Sequence, residues 1–255
     1  MKNNILKQDE VLEDLCLDYL KIIQNKNLYR FTSDSVILAN FVKAKQTDQF
    51  LDIGTGSGII AILAVHKNKI NSAVGVELQP NLADMASRSV MLNGLADNIK
   101  IVCQDIKDFT KDAFNESFDV ITCNPPYKKA GIGKVNDTLS KSIARHEIKI
   151  TLAEICVCVK KLLKFGGKFY ACIDADRTAE LIFELKKNGL EPKKMFFSQS
   201  STKTNANIVF VLAVKGGRQG VSVLHSLITN DNDGNYLESV RKMRFELCYI
   251  LLQHL

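Results

Sequence analysis

The amino-acid sequence predicts an α/β fold: a mostly parallel, twisted sheet of about seven strands, with helices on both faces and an antiparallel hairpin at its C-terminal end. Two observations carry this expectation. Apolar, β-rich runs recur at Gln49–Ile53, Ser72–Glu77, Ile99–Cys103, Phe118–Cys123, 167–173 and 206–214, and helical patterns separate most of them. Strand alternating with helix requires crossovers, which place helices on both faces of a parallel sheet. The last runs, 192–198 and 206–214, are separated only by the polar stretch 199–205, which is too short for a crossover helix and so favours a hairpin. Helix boundaries agree with this division. Pro80 stands where a first-turn proline belongs, and Asn93-Gly94 and Asn188-Gly189 supply residues that tolerate a left-handed stop.

The 255 residues are expected to form a single domain, with residues 1–45 mainly helical, 46–215 the α/β core and 216–255 a C-terminal extension. The extension begins with a glycine-rich turn and ends in an expected helix, 236–254, whose apolar stripe is expected to pack on its own domain in a monomer. With 46% hydrophobic and 24% charged residues the composition excludes disorder and fibrous repeats. Charges every few positions in the first twenty residues leave no run for a signal peptide, and no later stretch reaches membrane-spanning length, so a cytoplasmic location is expected. Seven cysteines are read as reduced thiols, and Cys156 and Cys158 form a lone C-x-C without a matching pair, so no metal site is expected. The net charge of +6 favours a polyanionic partner.

The most telling turn follows the first core strand. Asp52-Ile-Gly54-Thr55-Gly56-Ser-Gly58 sets three glycines between an apolar strand and a helix, where the backbone can turn sharply and approach a ligand. A dinucleotide site needs G-x-G-x-x-G, and here the third glycine comes one residue early, which disfavours hydride transfer with NAD. The pattern resembles the first motif of class I (Rossmann-like) methyltransferases, whose cofactor, S-adenosylmethionine, carries an amino-acid tail and no pyrophosphate. Glu77 ends the next strand, roughly 20 residues on, a position from which a carboxylate accepts from two vicinal ribose hydroxyls. Asp105 follows the third strand, and the same resemblance implies that it accepts from the cofactor's adenine amine. Leu78 and Ile106 flank these acids as further expected cofactor contacts.

After the fourth strand comes Asn124-Pro125-Pro126-Tyr127. In an open sheet this strand end faces the ligand. An exocyclic or amide nitrogen is a poor nucleophile because its lone pair is delocalised. The Asn124 side-chain oxygen and the Pro125 carbonyl can accept its two N–H bonds and favour the pyramidal nitrogen that attack requires. Tyr127 can stack on a planar substrate, and Asn124 is expected to contact the cofactor as well. Catalysis would come from positioning, with no catalytic cysteine or metal.

With these residues the chain resembles the N-P-P-Y amino methyltransferases, and within them the bacterial tRNA1(Val) (adenine(37)-N6)-methyltransferases. The resemblance extends over 27–238 and rests further on the segment from Tyr29 to Ala39, on Ala144-Arg145-His146-Glu147, on Lys203-Thr-Asn205-Ala-Asn207 and on Gly234-Asn-Tyr236-Leu-Glu238. It implies that Phe31 and Thr32 line the methionine end of the cofactor and that Arg145 and His146 lie near the incoming nucleotide. It also implies N6-methylation of an adenine in tRNA, at position 37 of a valine tRNA, with S-adenosylhomocysteine as product. An anticodon loop offers unpaired, splayed bases. Lys128, Lys129, Lys134 and Lys141 follow the tetrad where a basic segment could hold phosphates, and Lys193, Lys194, Lys203, Lys215 and Arg218 could extend that surface. Methylation of a protein glutamine amide, of ribosomal RNA guanine or of DNA adenine uses the same chemistry, and a non-catalytic RNA-binding protein on the same scaffold is a further alternative.

Overall fold

A computed structural model describes residues 5–15, 17–28, 30–125, 150–231 and 237. The first two strands, β1 (Glu10–Asp14) and β2 (Lys21–Asn25), pair antiparallel and are followed by α1 (Ser33–Phe41). The core then alternates: β3 (Gln49–Ile53), α2 (Ile59–Asn68), β4 (Ser72–Glu77), α3 (Pro80–Leu92), β5 (Ile99–Cys103), α4 (Ile106–Asp112) and β6 (Phe118–Cys123). After residue 150 come α5 (Leu152–Leu162), β7 (Leu163–Asp174), α6 (Thr178–Lys187), β8 (Leu190–Gln199) and β9 (Ile208–Lys215). Two short strands, β10 (Ser222–Val223) and β11 (Leu227–Ile228), complete the described chain.

The large sheet has the order β10-β8-β9-β7-β6-β3-β4-β5, with β11 also pairing with β8. Strands β5, β4, β3, β6 and β7 run parallel, while β9 lies antiparallel between β7 and β8. The seven expected strands and the terminal hairpin are therefore present, and the two-residue strands β10 and β11 add to the β8 edge.

Alternate side chains of each strand enter opposite cores, because the side-chain period of a strand is two. Phe50, Val120, Tyr170, Cys172 and Phe210 join α1 and α2 on one face. Leu51, Ile121, Phe169, Ala171, Val209 and Val211 join α5 and α6 on the other. Consecutive buried residues such as Phe50 and Leu51 are what a strand covered on both faces requires.

The structure corrects two boundaries. Residues 1–45 are not mainly helical: the described part forms the β1–β2 hairpin before α1. Asp18 and Tyr19, at φ of 43° and 67°, make the turn. The open edge of β2 is closed by α3, where Ser89 Oγ accepts from Ile23 N at 3.0 Å and Asn93 brackets Lys21, accepting from its N–H at 2.8 Å and donating to its carbonyl at 2.7 Å. Strand β7 also starts four residues before the expected 167, through an irregularity opposite Phe118 and Val120. The expected helix 236–254 lies outside the described residues. Among the described residues, no helix is long and apolar enough to cross a membrane.

Candidate active site

Strand β3 sits between β4 and β6. The chain proceeds from β3 through β4 to β5 and then returns to β6 on the other side of β3. Reversal of this kind leaves a crevice at the carboxyl ends of the two strands flanking the reversal, which is where open α/β sheets bind ligands. The glycine loop after β3 and Asn124 after β6 border that one crevice.

The loop is tied to its neighbours before any ligand arrives. Gly54 N and Thr55 N both donate to Val76 O, at 2.9 and 3.1 Å, and Gly58, at φ 92°, caps α2. Gly54 is the exposed residue of an otherwise buried loop, and a Cβ on it would meet nothing within 4 Å, so the space beside it is open to a ligand. Beneath it Asp52 is fully buried and accepts from Thr55 Oγ1 and Thr122 Oγ1, each at 2.7 Å. Burial pushes the Asp52 carboxyl up to about 6; the two threonine hydroxyls oppose the shift and the nearby Glu77 charge adds to it. Thr55 in turn lies over Gly75, where a Cβ would come within 3.0 Å of its hydroxyl.

Glu77 is buried at the end of β4. Its two carboxylate oxygens accept from Gly56 N at 3.0 Å and Gln79 N at 2.9 Å. Burial raises its pKa, while the backbone N–H groups of Gln79, Gly56 and Leu78 oppose that rise. Two buried carboxylates beside an open glycine loop are a poor setting for a pyrophosphate and a good one for a ribose and a cationic centre, so the residues present fit S-adenosylmethionine. Asp105 caps α4, accepting from Lys107 N at 2.8 Å; Ile106 is buried behind it and Leu78 is partly exposed.

Across the crevice, half-buried Asn124 is held at both ends of its carboxamide. Its Nδ2 donates to Ser35 Oγ at 2.9 Å, and Cys172 Sγ donates to its Oδ1 at 3.2 Å. Ser35 in α1 and Cys172 in β7 are both buried, as is Pro125. Phe31 and Thr32 lead into α1: Phe31 N donates to Oε1 of the buried Gln24 at 3.1 Å, and Thr32 precedes the first helical turn. No motif in the sequence marks Ser35, Cys172 or Gln24 as part of a site. Ser35 does fall inside the segment that carried the family resemblance.

Pro126, Tyr127, Lys128, Lys129, Lys134, Lys141, Arg145 and His146 lie outside the described residues. Lys203 is exposed in the turn between β8 and β9. Pairing of Asp174 with Ile208, and of Ile208 with Ser198, puts that turn at the same sheet edge as the end of β6. Lys215 does not extend this surface: it pairs with Leu190 at the opposite edge, where its Nζ is bonded to Glu116 and to the carbonyls of Lys160 and Leu163. Lys193 Nζ is bonded to the carbonyls of Arg218 and Gly220.

The chain is similar to known methyltransferases in sequence and in fold. The family described as Methyltransferase small domain matches residues 29–150. A Histophilus somni (strain 129Pt) protein named tRNA1(Val) (adenine(37)-N6)-methyltransferase is 31% identical over 172 residues, covering 66% of this chain and 70% of the relative. A protein of the same name from Bacteroides fragilis (strain YCH46) is 26% identical over 162 residues, 64% of this chain and 67% of the relative. In fold, the crystal structure of a predicted O-methyltransferase from Agrobacterium tumefaciens superposes with a TM-score of 0.67 at 16% identity, covering 84% of this chain and 96% of that one. Geranyl diphosphate C-methyltransferase from Streptomyces coelicolor A3(2), in a complex that includes S-adenosyl-L-homocysteine, gives 0.53 at 13% identity, covering 72% and 78%. With an S-adenosylmethionine-type crevice on a class I methyltransferase sheet, and this level of identity to its relatives, the chain belongs to the tRNA1(Val) (adenine(37)-N6)-methyltransferase family.

Proposed function

We propose that this protein methylates the exocyclic N6 amine of an adenine in tRNA, at position 37 in the anticodon loop of a valine tRNA, in the cytoplasm. The observation that carries the reading is Asn124, placed across the β3–β6 crevice from the glycine loop with its carboxamide already fixed. S-adenosylmethionine supplies a methyl group on a sulfonium, already activated for transfer. Glu77 accepts from the ribose hydroxyls, Asp105 from the adenine amine of the cofactor, and Phe31 and Thr32 border its methionine end. Backbone groups of the loop from Gly54 to Gly58, with Asp52 and Thr55 behind them, shape the crevice.

On the substrate side, Asn124 Oδ1 and the Pro125 carbonyl accept the two N–H bonds of the target amine, drawing its lone pair out of conjugation and towards the methyl carbon. Pro126 keeps the tetrad rigid and Tyr127 stacks on the base. Lys128, Lys129, Lys134, Arg145, His146 and Lys203 are proposed to contact the RNA, whose unpaired loop bases spare the cost of opening a duplex. The names of the relatives favour tRNA over a protein amide, ribosomal RNA guanine or DNA adenine.

The test is methyl transfer from labelled S-adenosylmethionine to bulk tRNA isolated from cells lacking the enzyme, followed by nucleoside analysis. N6-methyladenosine in a valine tRNA is the expected product. Label absent from tRNA but present in ribosomal RNA or in a protein amide would overturn the substrate.

A further inference from the structure

The chemistry at Asn124 depends on which end of its carboxamide meets the substrate. Oxygen and nitrogen ends have nearly the same shape, and a half-turn about the side-chain bond exchanges them. Presented oxygen-first, the group accepts an N–H of the target amine. Presented nitrogen-first, it sets donor against donor and supplies nothing to the reaction.

Two side chains bear on that choice, and they come from elements distant in sequence. Ser35 Oγ accepts from Asn124 Nδ2 at 2.9 Å, and Cys172 Sγ donates to Oδ1 at 3.2 Å. The hydroxyl contact is the stronger, because a thiol is a weak donor. Ser35 is 2% exposed, in a helix packed against α2 and β7, so its oxygen is held in place and water cannot readily replace it. A carboxamide oxygen has two acceptor positions, so the bond from Cys172 does not by itself exclude a second from the substrate.

We propose that Ser35 is a positioning residue for methyl transfer: its buried hydroxyl oxygen takes the amide N–H of Asn124 and so turns the carboxamide oxygen towards the target amine. This rests on the reaction proposed above for Asn124. It makes α1 part of the reaction geometry rather than only a cover for the sheet.

Single-turnover transfer to tRNA, at saturating S-adenosylmethionine and tRNA, tests it. Ser35→Ala should slow transfer by about 10- to 100-fold while leaving cofactor affinity, tRNA affinity and the unfolding midpoint essentially unchanged. Ser35→Thr and Ser35→Val have nearly the same shape and differ in the hydroxyl, so Thr should recover most of the rate over Val. Transfer by Ser35→Ala at the wild-type rate overturns the proposal, as does a Val variant as fast as Thr. A Ser35→Ala protein that does not fold, or that loses cofactor affinity in step with rate, shows a structural role and overturns it too. Failure of the wild-type enzyme to methylate tRNA would instead count against the functional reading, which keeps the two failures distinct.

Discussion

Asp52 shows how one residue can couple the site to stability. It is sealed under the glycine loop with two threonine hydroxyls as partners, and its carboxyl is pushed up to about 6 from an ordinary 3.8 by burial. The folded protein therefore holds this proton more tightly than the unfolded chain does. Its contribution to stability is fully present below the unfolded value, falls as pH rises from about 4 through about 6, and is flat above that. At one pKa unit per ~1.4 kcal/mol, the swing is roughly 3 kcal/mol. Asp52→Asn should abolish it: the unfolding free energy of wild type, measured against that of the variant by denaturant titration, should decline between pH 4 and pH 7. A difference that stays level over that range would contradict the burial argument.

At the scale of elements, the N-terminal hairpin is where the structure departs from the helical expectation. Its strands are five residues long, and charges at Glu10, Glu13 and Asp14 interrupt the apolar pattern in a way that resembles a helix surface. What makes it a hairpin is α3, which closes the open edge of β2 and grips β1 through one guanidinium. Arg88 donates to both carboxylate oxygens of Glu10, at 2.6 and 2.7 Å, and to Asp84, and this holds the Glu10 pKa below its usual value. The Glu10 and Arg88 side chains are only 5% and 13% exposed, so loss of Arg88 leaves a largely buried Glu10 carboxylate without its cation, holding only the Lys7 N–H at 2.7 Å. Arg88→Ala should lower the unfolding free energy by about 3 kcal/mol with little change in the denaturant slope. A cost under about 1 kcal/mol would mean that the hairpin is held by its apolar contacts and by the Ser89 and Asn93 bonds rather than by the guanidinium. By contrast, β3, β4, β5 and β6 were legible to the residue: β3, β4 and β6 lie inside the sheet and read as short, mostly apolar runs, β5 at the edge keeps its Ile99, Ile101 and Val102, and each carries its turn residues beside it. The glycine loop, Glu77 and Asn124 were legible for the same reason: each sits at the end of such a strand. The Ser35–Asn124 contact joins residues 89 positions apart, and no local spacing encodes it.

Over the whole molecule, sheet topology gathers the machinery at one edge. Reversal of strand order between β3 and β6 brings the glycine loop, Glu77 and Asn124 together, and the β8–β9 turn brings Lys203 to that same edge. Lys215, at the opposite edge, is fastened to Glu116 and two carbonyls and serves the fold. Among the described residues the positive charge is therefore not equivalent: Lys203 stands exposed at the crevice edge, whereas Lys215 is tied into the fold. Asn124 stands at the centre of the proposed chemistry: its carboxamide stabilises the attacking amine, while its expected contact with the cofactor is one among several. The most direct measurement is the single-turnover rate of methyl transfer to tRNA by Asn124→Ala beside wild type, with S-adenosylmethionine affinity measured on the same preparations. The expected result is a rate reduced about 100- to 1,000-fold with cofactor affinity within a few-fold of wild type. An Asn124→Ala enzyme that transfers methyl at close to the wild-type rate would contradict it.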